Sequence, residues 1–210
     1  MIHGTGVDKE TTLHRLTGND HELSAHYVID RAGAVIPLVP EEKRAWHAGL
    51  SRWRGISDVN SISLGIELVA LASGEVKGTD QKAPEKTFTN TTYSDSQIAA
   101  LIQLLNKIYE RWPRLQRDAI VSHQEIAPGR KFDPGPLFPW YKLAEAGFGL
   151  WPRVAPPSDQ DQPVMPAEKQ LFFRALAVIG INTLGSEDPL RAKQIVTAFQ
   201  NHYHPSAVSG

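Results

Sequence analysis

Cysteine is absent from the 210 residues of this chain. That excludes disulfides, thiolate zinc ligands and a cysteine nucleophile, and it leaves the redox compartment undetermined. No charge of either sign dominates: 22 Lys and Arg stand against 23 Asp and Glu, for a net charge of −1. No electrostatic case for nucleic acid or a membrane surface follows. No apolar run approaches the ~20 residues that span a bilayer. The opening Met1-Ile2-His3-Gly4 has neither a basic n-region nor an apolar h-region, so it reads as a cytoplasmic protein, a mature form or a fragment. What is present is a globular composition, 41% hydrophobic, with length for one domain of about 150 residues and a smaller appendage.

Local patterns suggest the elements. Asp8 is a plausible N-cap for a helix over Lys9–Thr17, with Leu13 and Leu16 on its buried face. Ala25–Ile29 and Ala34–Val39 flank Asp30-Arg31-Ala32-Gly33, a β-hairpin signal. Ile62–Ala70 is an apolar run broken by one charge, Glu67, as suits a strand buried on both faces. Residues 74–90 are polar and read as a surface loop. Ser94-x-x-Gln97 is a capping box, followed by Ile98, Leu101, Ile102, Leu105 and Ile108 on one helical face, with Pro113 as the stop. Ala119–Val121 reads as a short strand leading to His123. Pro152–Pro166 holds five prolines and reads as a linker. Two helices, over Glu168–Ile179 and Pro189–Gln200, follow it. Linker and helices together are near the lower limit for an independent core.

The chemistry concentrates in Ser122–Pro136, where His123 and Asp133 lie ten residues apart in a loop that Pro and Gly keep irregular. Imidazole nitrogen with carboxylate oxygen suits Zn²⁺. Lys131, beside that pair, is a cation placed to stabilise an oxyanion. One further histidine would complete three protein ligands and leave a fourth position for water. Of the eight histidines, His14, His21, His202 and His204 read as solvated surface residues, and His3 taken alone is an unremarkable N-terminal histidine. Glu67 is the unusual charge: either its strand is an edge and it faces solvent, or it is a carboxylate at the floor of a site, poised to accept a proton. Trp46-His47-Ala48-Gly49 is either a core tryptophan with a turn or a substrate-contacting edge.

Taken in order, Ile2-His3, Ser24–Tyr27, Arg44–Gly49, Asn60–Glu67, Ser122-His123 and Lys131–Pro136 resemble the zinc-dependent N-acetylmuramoyl-L-alanine amidases. Their type-2 fold is shared with peptidoglycan recognition proteins. The likeness covers roughly residues 1–150 and is nearest to the cell-envelope branch, in which a small peptidoglycan-binding domain follows the catalytic one. Ala198-Phe199-Gln200 is similar to part of that domain's pattern. The resemblance implies a mixed α/β fold, a central sheet flanked by helices, with a small, partial helical C-terminal domain. Its division would be a catalytic domain at 1–151, a linker at 152–166 and the helical domain at 167–210. It implies one Zn²⁺ per chain on His3, His123 and Asp133, Glu67 as general base and Lys131 as oxyanion stabiliser. Trp46, His47 and Asn60 would line a groove for peptidoglycan or muropeptides. The activity implied is hydrolysis of the amide between N-acetylmuramic acid and L-alanine in wall turnover or recycling, with a periplasmic or envelope location. Relatives with a tyrosine at the position of Ala25 lack the glutamate, so Glu67 places the chain in the glutamate-using branch.

Two departures accompany the likeness. Only Met1 and Ile2 precede His3, where relatives have a longer strand, and the C-terminal domain stops at Gly210; truncation at both ends, or a misassigned start, is the expectation. Two rival functions remain at this stage. One is a non-catalytic peptidoglycan-binding protein, which the intact His3, His123, Asp133, Glu67 and Lys131 oppose. The other is a zinc peptidase cutting within the stem peptide.

Overall fold

The computed structural model describes residues 1–18, 22–71, 88–152 and 165–207. One mixed sheet is built from β1 (Ile2–Gly6), β2 (Tyr27–Ile29), β3 (Val35–Pro37) and β4 (Ile66–Leu71), in the order β1-β4-β2-β3. β4 lies between β1 and β2, parallel to both, and β3 pairs antiparallel on the edge. The strand carrying Glu67 is therefore interior, as its apolar run predicts. It begins at Ile66; Ile62–Gly65 leads out of a 3-10 turn at Val59–Ser61. In the β2–β3 turn, Asp30 Oδ1 accepts from the N–H groups of Ala32 and Ala34. Gly33 there has φ +88°, and a Cβ would meet the Ser96 carbonyl at 2.7 Å, so glycine alone fits.

Helix α1 (Lys9–Thr17) is capped by Asp8, whose side chain accepts from Thr11 N–H. Its buried residue is Thr12; Leu13 and Leu16, expected on the buried face, are only half-buried. Helix α2 (Asp95–Arg111) starts at the predicted Ser94–Gln97 capping box. Its stripe of Ile98, Leu101, Leu104, Leu105 and Ile108 packs on Ile2, Ile29, Ile66 and Leu68 of the sheet. Gln97, fully buried, locks this layer by donating from Nε2 to the carbonyls of Ile29 and Val69.

The C-terminal half is helical: α3 (His123–Ile126), α4 (Trp140–Glu145), α5 (Pro166–Ile179) and α6 (Pro189–Tyr203). Two expectations are corrected here. Ala119–Val121 is not a strand; Ile2 N–H donates to Val121 O and one isolated bridge joins Ile2 to Ser122. The chain turns helical at His123, so the ladder has no room to extend, and His123 opens a helical turn where an irregular loop was expected. His202, read as solvated, is buried. It falls on the stripe of Ala192, Ile195 and Ala198 that faces inward along α6. Helices α5 and α6 share a small cluster of their own around Phe173, Leu176, Ile181 and Ile195. His21 lies outside the described residues, as does most of the expected loop at 74–90 and linker at 152–166.

Glu41 ties the segment after β3 to the end of α2. Its carboxylate accepts from Tyr27 O–H at 2.6 Å, Arg111 Nε at 2.9 Å and Trp112 Nε1 at 2.6 Å. The Arg111 hydrogen bonds, against the opposing effect of burial and aided by Tyr27 and Trp112, bring its pKa from 4.5 to about 2. A carboxyl whose folded pKa is depressed stabilises fully above its unfolded pKa, and this contribution is lost as pH falls through the folded one. Wild-type Tm is therefore expected to fall more steeply than that of Glu41→Gln between pH 4.5 and 2. Parallel acid limbs in thermal melts would reject this role.

Candidate active site

The sheet register brings the first two functional groups together. His3 of β1 is directly opposite Glu67 of β4, so their side chains share one sheet face. Ile2 and Ile66 point to the other face, into the core under α2. His3 Nδ1 lies 3.9 Å from Glu67 Oε1. α3 delivers His123, and the turn beyond it delivers Asp133. That turn is held by Tyr93, whose hydroxyl donates to Pro134 O at 2.8 Å, and by Gln124 N–H donating to Asp133 O at 3.1 Å.

The three groups converge. His3 Nδ1 and His123 Nδ1 are 3.0 Å apart, and Asp133 Oδ2 is 3.2 Å from each. All three residues are buried. The hydrogen bonds on the far side of each ring set the tautomers. His123 Nε2 faces Ala48 O at 3.0 Å and must donate to it. His3 Nε2 faces His47 Nδ1 at 3.1 Å, while His47 Nε2 faces Ser63 O at 3.4 Å. His47 thus donates from Nε2 and accepts at Nδ1, which makes His3 the donor at Nε2. Both Nδ1 atoms are left as bare lone pairs turned toward a carboxylate oxygen. Such a convergence of acceptors is repulsive without a cation, and two imidazoles with one carboxylate are a donor set that fits Zn²⁺.

Electrostatics agree with that arrangement. Burial, then the neighbouring His123, pushes the His3 pKa down to about 3. Burial and then His3 push His47 far below the usual imidazole range. Burial opposes ionisation of Asp133, yet the two neighbouring histidines, His123 first and then His3, hold its carboxyl well below the usual range. Glu67 goes the other way: burial first, then the Asp133 charge, raises it to about 8, with Lys131 opposing. The cluster therefore sets a neutral His3 against one carboxylate that stays ionised, beside a second carboxyl that exchanges protons near neutrality.

A cleft of about 270 Å³ opens over these groups, lined by His3, Trp46, Glu67, His123, Lys131 and Asp133 among others. Trp46 is half-exposed there, with the Arg44 guanidinium carbon 4.0 Å from its ring centroid. His47 and Asn60, expected as groove contacts, sit differently. His47 borders the cleft but is 6% exposed and backs His3. Asn60 is buried, and its Oδ1 accepts from the N–H groups of His47 at 2.9 Å and Ala48 at 2.8 Å. It lines a separate, larger cavity around Met1, not this cleft. The Trp46–Gly49 segment is therefore the support of both histidines: one of its side chains holds His3 and one of its carbonyls holds His123.

Comparison with known proteins follows the same lines. The family profile described as N-acetylmuramoyl-L-alanine amidase matches residues 1–136. The chain is 36% identical, over its whole length and 76% of the relative's, to the N-acetylmuramoyl-L-alanine amidase AmiD of Escherichia coli K12. It is 41% identical to the 1,6-anhydro-N-acetylmuramyl-L-alanine amidase AmpD of Enterobacter cloacae, over 58% of this chain and 55% of that protein. Among solved structures, AmpDh3 of Pseudomonas aeruginosa in complex with anhydromuramic pentapeptide superposes with a TM-score of 0.82 at 32% identity, covering 99% of this chain and 83% of that one. AmiD of E. coli with the substrate anhydro-N-acetylmuramic acid-L-Ala-D-gamma-Glu-L-Lys superposes at 0.77 with 32% identity, covering 99% and 80%.

Proposed function

This chain belongs to the N-acetylmuramoyl-L-alanine amidase family, and from that premise we propose how its own residues divide the work of cutting the amide between N-acetylmuramic acid and L-alanine. The observation that carries the proposal is the convergence of His3, His123 and Asp133 beside Glu67 in one cleft. His3 and His123 through Nδ1, and Asp133 through Oδ2, would hold one Zn²⁺. Zinc bound there supplies Lewis acidity toward the scissile carbonyl and lowers the pKa of water from 15.7 to about 7.

The remaining steps belong to the protein. Glu67 accepts the proton of the attacking water at its carboxylate and returns it to the nitrogen of the departing L-alanine. That return matters because an amide nitrogen leaves poorly unless protonated. Lys131, on the cleft wall and close enough to act on Glu67, faces the carbonyl oxygen as it gains charge; removing such a donor costs on the order of 10²–10³ in rate. Trp46 offers an aromatic face at the cleft rim to sugar or peptide. The substrates are peptidoglycan fragments, with anhydromuramyl peptides the class that relatives AmiD and AmpDh3 hold in their solved complexes. A cell-envelope location is part of the same proposal; no helix among the described residues is long and apolar enough to cross a membrane.

Mass spectrometry of the soluble products from purified peptidoglycan, incubated with the chain and Zn²⁺, tests the reading. Free stem peptides beginning at L-alanine are expected. Peptides beginning at another residue would replace the amidase with a stem peptidase, and binding without product would leave only a receptor.

A further inference from the structure

α3 is a single helical turn, too short to hold itself together by its own backbone bonds, yet it carries His123. Its frame is a capping box that S-x-x-E spells in the sequence. Glu125 N–H donates to Ser122 Oγ at 3.0 Å, and Ser122 N–H donates to Glu125 Oε2 at 2.7 Å. The Glu125 side chain is only 1% exposed. A carboxylate so buried is costly without a partner, and the partner comes from the far end of the chain. His202 Nδ1 of α6 lies 3.0 Å from Glu125 Oε2, at ion-pair distance but outside hydrogen-bond geometry. The His202 ring is stacked between Trp140 and Tyr203, with centroids at 3.8 and 4.0 Å. One residue earlier, Asn201 Nδ2 donates to Gln124 Oε1 at 2.7 Å. Just ahead of α6, Asn182 N–H donates to Glu125 O at 2.9 Å.

Both residues that follow His123 in its turn are thus gripped from the C-terminal helices by buried polar contacts. A tethered appendage would not place buried polar groups on the element that carries a metal ligand. We propose that the C-terminal helix pair is a positioning element of the active site: α6, through His202 on Glu125 and Asn201 on Gln124, sets the orientation of α3 and hence of His123. The inference rests on the zinc reading of the His3–His123–Asp133 cluster. It gives this region a role in the amidase site itself, whatever glycan it also contacts.

The test uses the full chain and measures Zn²⁺ affinity, the visible spectrum of the Co²⁺-substituted protein, and kcat and KM. His202→Phe keeps an aromatic ring in the stack and removes the nitrogen at Glu125. Its Zn²⁺ affinity is expected to fall by about 10-fold, the low end for direct partners of metal ligands, since His202 acts through Glu125 and the turn. Its Co²⁺ bands are expected to shift, and kcat to drop with KM nearly unchanged. Asn201→Ala, a milder change, should move the same quantities less, and it decides the matter if His202→Phe does not fold. Wild-type Zn²⁺ affinity and Co²⁺ bands in the folded variants, even with a lowered Tm, would overturn the positioning role alone. A wild-type chain that binds no Zn²⁺ would overturn the zinc reading and this inference with it.

Discussion

Glu67→Ala is expected to lower turnover by about 10²–10⁴-fold, the range for a positioned acid–base group, while Zn²⁺ still binds. The two halves of that result have separate structural causes. Glu67 is not one of the three converging donors; it stands 3.9 Å from His3 Nδ1, on the neighbouring strand. Removing it leaves His3, His123 and Asp133 with all their supporting hydrogen bonds, including those to His47 and Ala48. It also relieves a partly buried carboxyl of its desolvation cost, so stability should hold or rise. Glu67→Gln should be nearly as inactive, because an amide keeps the shape but accepts no proton at neutral pH. Isothermal titration with Zn²⁺ alongside product quantification separates the effects. Unchanged turnover would remove Glu67 from the mechanism, and lost zinc would make it a ligand in disguise.

The second large effect is on stability. In a chain beginning at Met1, the terminal ammonium is buried and donates to Leu64 O at 2.8 Å. Burial brings its pKa from 8.0 to about 5. Beside it lies a cavity of about 600 Å³, lined by Met1, Ile2, Leu64, Leu105, Ile108 and Ile120 among others. A Val-Val-Ile extension ahead of Met1 turns the buried amine into a peptide N–H and places apolar side chains at that cavity. Two buried side chains at about 1.5–3 kcal/mol each are largely offset by the entropy of ordering three residues at about 1–2 kcal/mol each, so the gain that remains, with relief of the buried amine, is on the order of 1 kcal/mol. For a chain of this size that raises Tm by roughly 2–4 °C. A Gly-Ser-Gly extension, which displaces the amine but fills nothing, should gain no more than that. Equal melting of both extended chains and the parent would show that the cavity accepts no added strand.

How much of this was legible depends on how local each cause is. The Ser94–Gln97 box, the Asp30–Gly33 turn and the Asp8 cap act within a few residues, so pattern reveals them. Glu67 stood out because one charge interrupts an apolar run, a signal that survives in sequence. His202 did not, since a polar residue is buried only where a distant partner answers it, here Glu125. Its place on the inward stripe of α6 was available and outweighed by the usual solvation of histidine. The turn at His123 was likewise spelled by Ser122 and Glu125. His47 and Asn60 fall among the motif residues, but that they stand behind the converging histidines is a fact of three dimensions. No spacing says that one carbonyl, that of Ala48, receives the hydrogen of His123. The bridge at Ser122 shows the converse: a strand-like triplet stays unpaired when its neighbour offers only Ile2.

The pairing of His3 with Glu67 has a consequence for how this enzyme tolerates change. The interval between Glu67 and His3 is a lattice constant of the sheet, the ~4.8 Å between neighbouring strands. It does not depend on the length or path of the chain between Gly6 and Ile66, which passes through α1, the hairpin and the Trp46–Gly49 segment. Insertions in those connections, outside the Trp46–Gly49 segment that supports His3 and His123, can reshape the rim while that interval stays fixed. A single-residue slip of β1 against β4 would instead turn His3 into the core. Rim and site are therefore separable by position: the outer connections are free to drift, and the register of β1 on β4 is not.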